Sequence, residues 1–160
     1  MTSTTFEIIG QPVAKQRPRM TRNGRVYTPS KTVAFEKAIR GIAAPHFTAP
    51  LHGPVKVTVW ATFKPPVSWT KKKTAANMNT PHIQRPDLDN VAKAICDALN
   101  GIAYVDDNQV ASIEARKVWG PTARTVVPIQ AKTDESNRAT APEHPQSAHM
   151  RPPESRNEFL

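Results

Sequence analysis

Apolar and polar positions alternate along several short stretches of the chain. Val55, Val57 and Val59 alternate with Lys56, Thr58 and Trp60, which predicts a strand running to Phe63. Thr4 to Ile9 alternates more weakly but is β-branched enough for a first strand. Gln109 to Trp119 alternates again, and Thr125 to Ile129 supplies a last strand, in which Pro128 suits an edge position. Helical periodicity occurs twice. From Ser30, read as the N-cap, to about Ala44, the residues Val33, Ala34, Lys37, Ala38 and Ile42 form an imperfect apolar face, and Gly41 weakens its end. The second run is sharper: Leu88, Val91, Ala92, Ile95 and Leu99 recur as one buried stripe, led in by Pro86 and stopped by Gly101.

The intervening stretches carry their own signals. Asn23-Gly24 predicts a two-residue hairpin turn, and its arms carry Lys15, Arg17, Arg19, Arg22 and Arg25. Lys64 to Pro86 is the longest irregular segment, with Pro65-Pro66 followed by Lys71-Lys72-Lys73. Its length and charge predict a mobile DNA-binding loop that orders on its substrate. From Ala131 onward periodicity disappears and Pro, Ser, Glu, Asn and Arg dominate. The expected architecture is α+β: a small mixed β-sheet with two main helices packed on it. It forms a single domain over residues 1–130, followed by a disordered polar tail over 131–160.

Charge adds a partner class. The 160 residues carry a net charge of +9, and residues 1–130 hold 18 Lys/Arg against 8 acids. A folded body so basic suggests a polyanion, nucleic acid before membrane, because no apolar span of about 18 residues accompanies it. Arginine forks grip phosphates bidentately, so the hairpin arm is the leading DNA-backbone contact, joined by Lys71, Lys72, Lys73 and Arg85. Met1 to Ile9 lacks a signal-peptide pattern, and the lone Cys96 leaves no internal disulfide framework; both fit a cytoplasmic protein.

The acids are distributed differently. Every aspartate of the first 130 residues lies between Arg85 and Asp107: Asp87, Asp89, Asp97, Asp106 and Asp107. Asp89, Lys93 and Asp97 are four apart, on the helix face turned away from the apolar stripe. Ile102 to Val105 then leads to Asp106-Asp107-Asn108, and the strand beyond lets this second pair fold back towards the start of the helix. Carboxylates so arranged suit a hard cation. Mg²⁺ takes oxygen ligands at about 2.0–2.1 Å and keeps several waters. The histidines are scattered and Cys96 is alone, so no softer metal competes. Lys93 is placed to reach the same phosphate as a point charge. Taken singly, Asp87 or Asp89 could cap the helix and Asp106-Asp107-Asn108 could be a turn. Capping, however, needs one aspartate and not four or five.

The combination resembles the RusA-type Holliday-junction resolvases, small phage and prophage endonucleases. Their pattern is matched by Asp87-Leu88-Asp89-Asn90 opening a helix, by Lys93, and by Asp106-Asp107-Asn108-Gln109-Val110 at the next strand. The resemblance covers about residues 5–130. It implies that Asp87, Asp89 and Asp107 are the catalytic carboxylates and metal ligands, with Asp106 as an alternate ligand and Lys93 as the catalytic lysine. It also implies Mg²⁺ as cofactor, with Mn²⁺ as substitute and no small-molecule cofactor. The implied substrate is a four-way DNA junction cut by a homodimer in recombination and repair, in a bacterial or phage-infected cell. Trp60, Phe63, Ile102 and Tyr104 could line the dimer interface or be core. Two rivals share the basic surface: a non-catalytic DNA-binding protein with a structural acidic cluster, and a nuclease acting on other branched or flap DNA.

Overall fold

The computed structural model describes residues 3–132, and the tail expected over 131–160 lies outside them apart from its first two residues. The chain runs through β1 (Ser3–Ile9), β2 (Arg19–Met20), β3 (Val26–Tyr27), α1 (Ser30–Ala43), β4 (Val55–Phe63), α2 (Lys71–Asn77), α3 (Leu88–Leu99), β5 (Val110–Trp119) and β6 (Arg124–Ala131). The four long strands form one mixed sheet in the order β1-β6-β4-β5. β4 and β5 are parallel, whereas β6 is antiparallel to both β1 and β4. α1 and α3 pack on one another over one face of this sheet, as the α+β reading requires.

Alternation along the strands builds the core. Val55, Val57, Val59, Ala61 and Phe63 of β4 face the helices together with Phe6, Ile8, Val127 and Ile129. α3 is buried nearly all round, which leaves Asp89 and Lys93 exposed and Asp97 half-exposed along one row. Gly101 takes a left-handed φ of 76° just past its end, which glycine adopts without a Cβ clash. The last carbonyls of α3 find donors outside the helix. Tyr104 Oη donates to Cys96 O at 2.8 Å, Arg40 Nη1 to Ala98 O at 3.0 Å, and the amides of Ile102 and Ala103 each to Leu99 O at 3.0 Å.

Several expectations need correction. β6 is not an edge strand: it runs to Ala131 between β1 and β4. Pro128 is tolerated because the ladder to β4 skips from Val57–Ile129 to Trp60–Val126, where a proline has no N–H to donate. α1 begins after Pro29 and buries Thr32, Phe35, Ile39 and Ala43, while Val33 stays exposed. The β2–β3 hairpin closes on Arg22-Asn23-Gly24. Thr21 N bonds Arg25 O at 2.9 Å, Gly24 N bonds Thr21 O at 3.0 Å, and Gly24 alone has positive φ. Phe63 and Tyr104 are core, and Trp60 lies on the open face of the sheet beneath Arg116.

The segment 64–86 is also more ordered than expected. Thr70 Oγ1 accepts from Lys73 N and opens α2. His82 is buried between the rings of Phe63 and Trp119, at 4.2 and 4.1 Å, and Trp69 packs on Trp119 at 4.8 Å. Lys73 caps this run of rings, 4.5 Å from the centre of Trp69. Backbone bonds from Asn79 to Trp119 and from His82 to Lys117 then fasten the segment along the outer edge of β5.

Candidate active site

The exposed row of α3 borders a cavity of about 660 Å³ between that helix and β5. Its floor is apolar, formed by Leu88, Ala92, Cys96, Val110, Ile113 and Ala115. Its polar groups are Asp89, Lys93, Asp97 and Asp107. The structure therefore brings three of the five clustered aspartates to one place with the predicted lysine. Asp87 opens on an adjoining hollow that it shares with Arg17, Arg85 and Asn90. Asp87 occupies the N-cap position of α3, yet its carboxylate accepts no bond from the first turn. The capping reading thus leaves its side chain unused.

Asp106 and Asp107 have separate tasks. Asp106 Oδ1 accepts from Asn108 N at 2.9 Å, and Gln109 Oε1 accepts from Asp106 N at 3.0 Å, a reciprocal capping box on the short 3-10 turn. Gln109 Nε2 then donates to Leu51 O and Gly53 O, both at 2.9 Å, and fixes the turn to the chain entering β4. This turn holds Asp107 at the cavity. Neither Asp89 nor Asp107 belongs to any of the ion pairs among the described residues.

The remaining charges sort by engagement. Lys15, predicted to touch DNA, is a clamp: its ammonium bonds Glu36 and lies 3.2 Å from Asp97, and its amide donates to Asn90 O at 2.8 Å. Partial burial pulls its pKa down, but the bonds to Glu36 and Asp97 outweigh this and leave it above the ordinary lysine value. Lys93 stands 3.7 Å from Asp97 and is largely exposed, a weak pairing that a phosphate can replace. Arg17, Arg19, Arg22, Arg25 and Arg85 are exposed. Lys71, Lys72 and Lys73 form the first turn of α2. Burial, aided by the charges of Asp97 and Asp107, raises the Cys96 thiol to about 11, so it stays protonated near neutral pH.

Among the described residues no three His, Cys, Asp or Glu side chains gather closely enough to enclose an ion. Mg²⁺ does not need such a cage, since one or two carboxylates with waters and substrate phosphate are its usual set. Asp89 and Asp107, without ion-pair partners and on one cavity, fit that requirement in number and chemistry. Sequence reasoning missed Gln109 as a structural anchor, Arg40 as a helix-end donor, and the engagement of Lys117 and His82. The first two donate to distant backbone carbonyls, and backbone acceptors leave no mark in a sequence.

Comparison with known proteins agrees with this geometry. The chain is 35% identical over 133 residues to the uncharacterized protein YqaN of Bacillus subtilis (strain 168), which covers 78% of this chain and 94% of that protein. Residues 10–130 match the family described as Endodeoxyribonuclease RusA, a span that holds every acidic and basic group of the cavity and of the Asp87 hollow. With the match covering more than half of the chain, the protein belongs to the RusA endodeoxyribonuclease family.

Proposed function

We propose that the protein is a Mg²⁺-dependent endonuclease that resolves four-way DNA junctions by paired, symmetric nicks in recombination and repair. The observation that carries this reading is the cavity in which Asp89 and Asp107, free of ion pairs, stand beside Lys93 on a strongly basic body. Asp89 and Asp107 would hold the ion, and Asp87, which opens on the neighbouring hollow, would join them when the ion draws its carboxylate in. When bound, Mg²⁺ lowers the pKa of a coordinated water and stabilises charge on the oxygens of a phosphodiester; Mn²⁺ can take its place. Lys93 releases Asp97 and neutralises charge on the non-bridging oxygens of the phosphate being cut. Arg17 and Arg85, which line the same hollow as Asp87, hold the adjacent backbone phosphate. Arg19, Arg22 and Arg25 on the hairpin, with Lys71 and Lys72 on α2, extend the contact along the duplex arms.

A four-way junction has approximate two-fold symmetry, and Asp89, Lys93 and Asp107 of one chain line a single cavity. Two nicks in opposing strands therefore call for a closed homodimer, the commonest symmetric assembly. Sedimentation equilibrium tests this; a monomer that stays monomeric on junction DNA yet nicks both strands in one binding event would exclude it.

The decisive experiment incubates the protein with a synthetic four-way junction and a matched duplex, in Mg²⁺ or in EDTA. A resolvase cuts the junction in Mg²⁺ and binds without cutting in EDTA. Asp89→Asn and Asp107→Asn should each abolish cleavage while binding survives, because each removes a ligand and also a negative charge facing DNA. Near-normal cleavage by either variant removes that residue from the ligand set. Binding without cleavage in both conditions identifies a non-catalytic binder instead.

A further inference from the structure

Lys117 takes no part in the chemistry proposed above. It lies on β5 opposite Ala61 of β4, on the face of the sheet that the helices cover. Lys117 is half-buried there, and its ammonium is matched by acceptors of the protein itself. The acceptors it finds are backbone carbonyls of the segment entering α3: Gln84 O at 2.6 Å and Pro86 O at 2.7 Å. Its own carbonyl accepts from the His82 amide at 3.0 Å. One residue thus holds the incoming chain at three alternate positions, 82, 84 and 86. None of the ion pairs among the described residues includes Lys117, so its charge is set against carbonyl dipoles alone.

The position of that grip gives it meaning. The Pro86 carbonyl shares a peptide plane with the Asp87 amide, so whatever fixes this oxygen fixes the start of Asp87. Between His82 and Asp87 the residues Ile83, Gln84 and Arg85 are exposed, so the burial of their side chains does not hold the chain there. β5 is also the strand that begins just after Asp107. Lys117 therefore ties the approach to Asp87 to the same strand that follows the turn bearing Asp107.

We propose that Lys117 is a positioning residue that sets where the Asp87 carboxylate stands relative to Asp89 and Asp107, and so sets the affinity of the site for its divalent cation. This rests on the reading of those three carboxylates as the ligands. Groups that orient ligands in this way commonly change metal affinity by about 10–100-fold when removed.

The test compares the full chain with Lys117→Met, Lys117→Gln and Lys117→Arg, read by amide hydrogen exchange of the peptide covering 82–88 without metal and by calorimetric titration with Mn²⁺. Lys117→Met should exchange about ten-fold faster over 84–88 while α3 and the sheet keep their protection. Its Mn²⁺ affinity should fall by about ten-fold or more, and Lys117→Arg should recover part of both losses. Junction binding in EDTA should stay at the wild-type level. Wild-type exchange and wild-type Mn²⁺ affinity in Lys117→Met overturn the proposal, as does a loss of protection spread evenly over the whole sheet. If Lys117→Met does not fold, Lys117→Gln decides by the same two readings. A wild-type protein that binds no Mn²⁺ refutes the ligand assignment instead, and the exchange pattern then still reports whether Lys117 holds the chain.

Discussion

Replacing Tyr104 by phenylalanine isolates one contact in the path that delivers Asp107. Tyr104 is fully buried, and its hydroxyl donates to Cys96 O at 2.8 Å. That carbonyl is one of the last four of α3, which have no donor within the helix. Phenylalanine keeps the ring and its packing, so no sizeable cavity opens. It leaves a buried carbonyl without this donor, a loss of about 1–3 kcal/mol, partly offset because the hydroxyl itself no longer has to be desolvated. A net loss of about 1–2 kcal/mol follows, equivalent to a fall in Tm of roughly 3–6 °C for a domain of this size. Urea unfolding at neutral pH, with calorimetry alongside, measures it. The backbone bond from Gly101 N to Tyr104 O, 2.8 Å long, is untouched, so junction cleavage well below Tm should remain within about two-fold of wild type. Burial holds the phenol pKa far above its ordinary value, so the loss should be the same at every pH below about 9. A stability change under about 0.3 kcal/mol would mean that the Cys96 carbonyl has another donor and that the helix-end argument is wrong.

Other expectations follow from the charged groups. Lys93→Ala should slow cleavage by about 100-fold in single-turnover assays while changing junction affinity by no more than about two-fold; lost affinity with unchanged turnover contradicts its role. Arg22→Ala combined with Arg25→Ala should reduce the slope of log affinity against log salt by about 0.9 for each phosphate contact removed, measured by fluorescence anisotropy. His82 is held below its ordinary pKa of 6.5, first by burial and then by the Lys117 charge, so the unfolded chain binds a proton at higher pH than the folded one. Stability should therefore fall as pH drops below 6.5, and His82→Gln should flatten the difference in urea midpoint between pH about 7.5 and about 5.5. Cys96 should resist alkylation in the native protein and react on unfolding, monitored by mass spectrometry.

Legibility in the sequence followed the range of the interactions. β4 and α3 were readable because one face of each is continuously buried, so a period of two and a helical stripe stand out directly. The gathering of aspartates was readable because it is local, within 23 consecutive positions. The face of α1 was misplaced because Thr32, fully buried, counts as polar in any pattern while the exposed Val33 counts as apolar. α2 was missed because its lysines suggested a solvated loop, although Thr70 before a Lys and Ala run is a serviceable N-cap. The order of segment 64–86 comes from His82 entering between two rings about 20 and 40 residues away, which no local rule sees. Lys15 was misassigned for a similar reason: its carboxylate partners lie on two different helices. At Asp106 the structure supplies the simple explanation that the sequence left open, a cap.

The place of β6 in the sheet has a consequence for synthesis. Among the described residues the strand that joins β1 to β4 is the last one made, and it pairs with the first over nearly its whole length, Ser3 to Ile9 against Gln130 to Arg124. A ribosome has delivered every acidic and basic residue of the cavity by Ala115, well before that strand exists. Until Arg124 to Ala131 emerges, β1 has no neighbour and β4 lacks one of its two. A truncated or stalled chain would therefore carry a complete set of site residues on an incomplete sheet. Emergence of Arg124 to Ala131, rather than translation of the site itself, is what completes the sheet that carries the cavity.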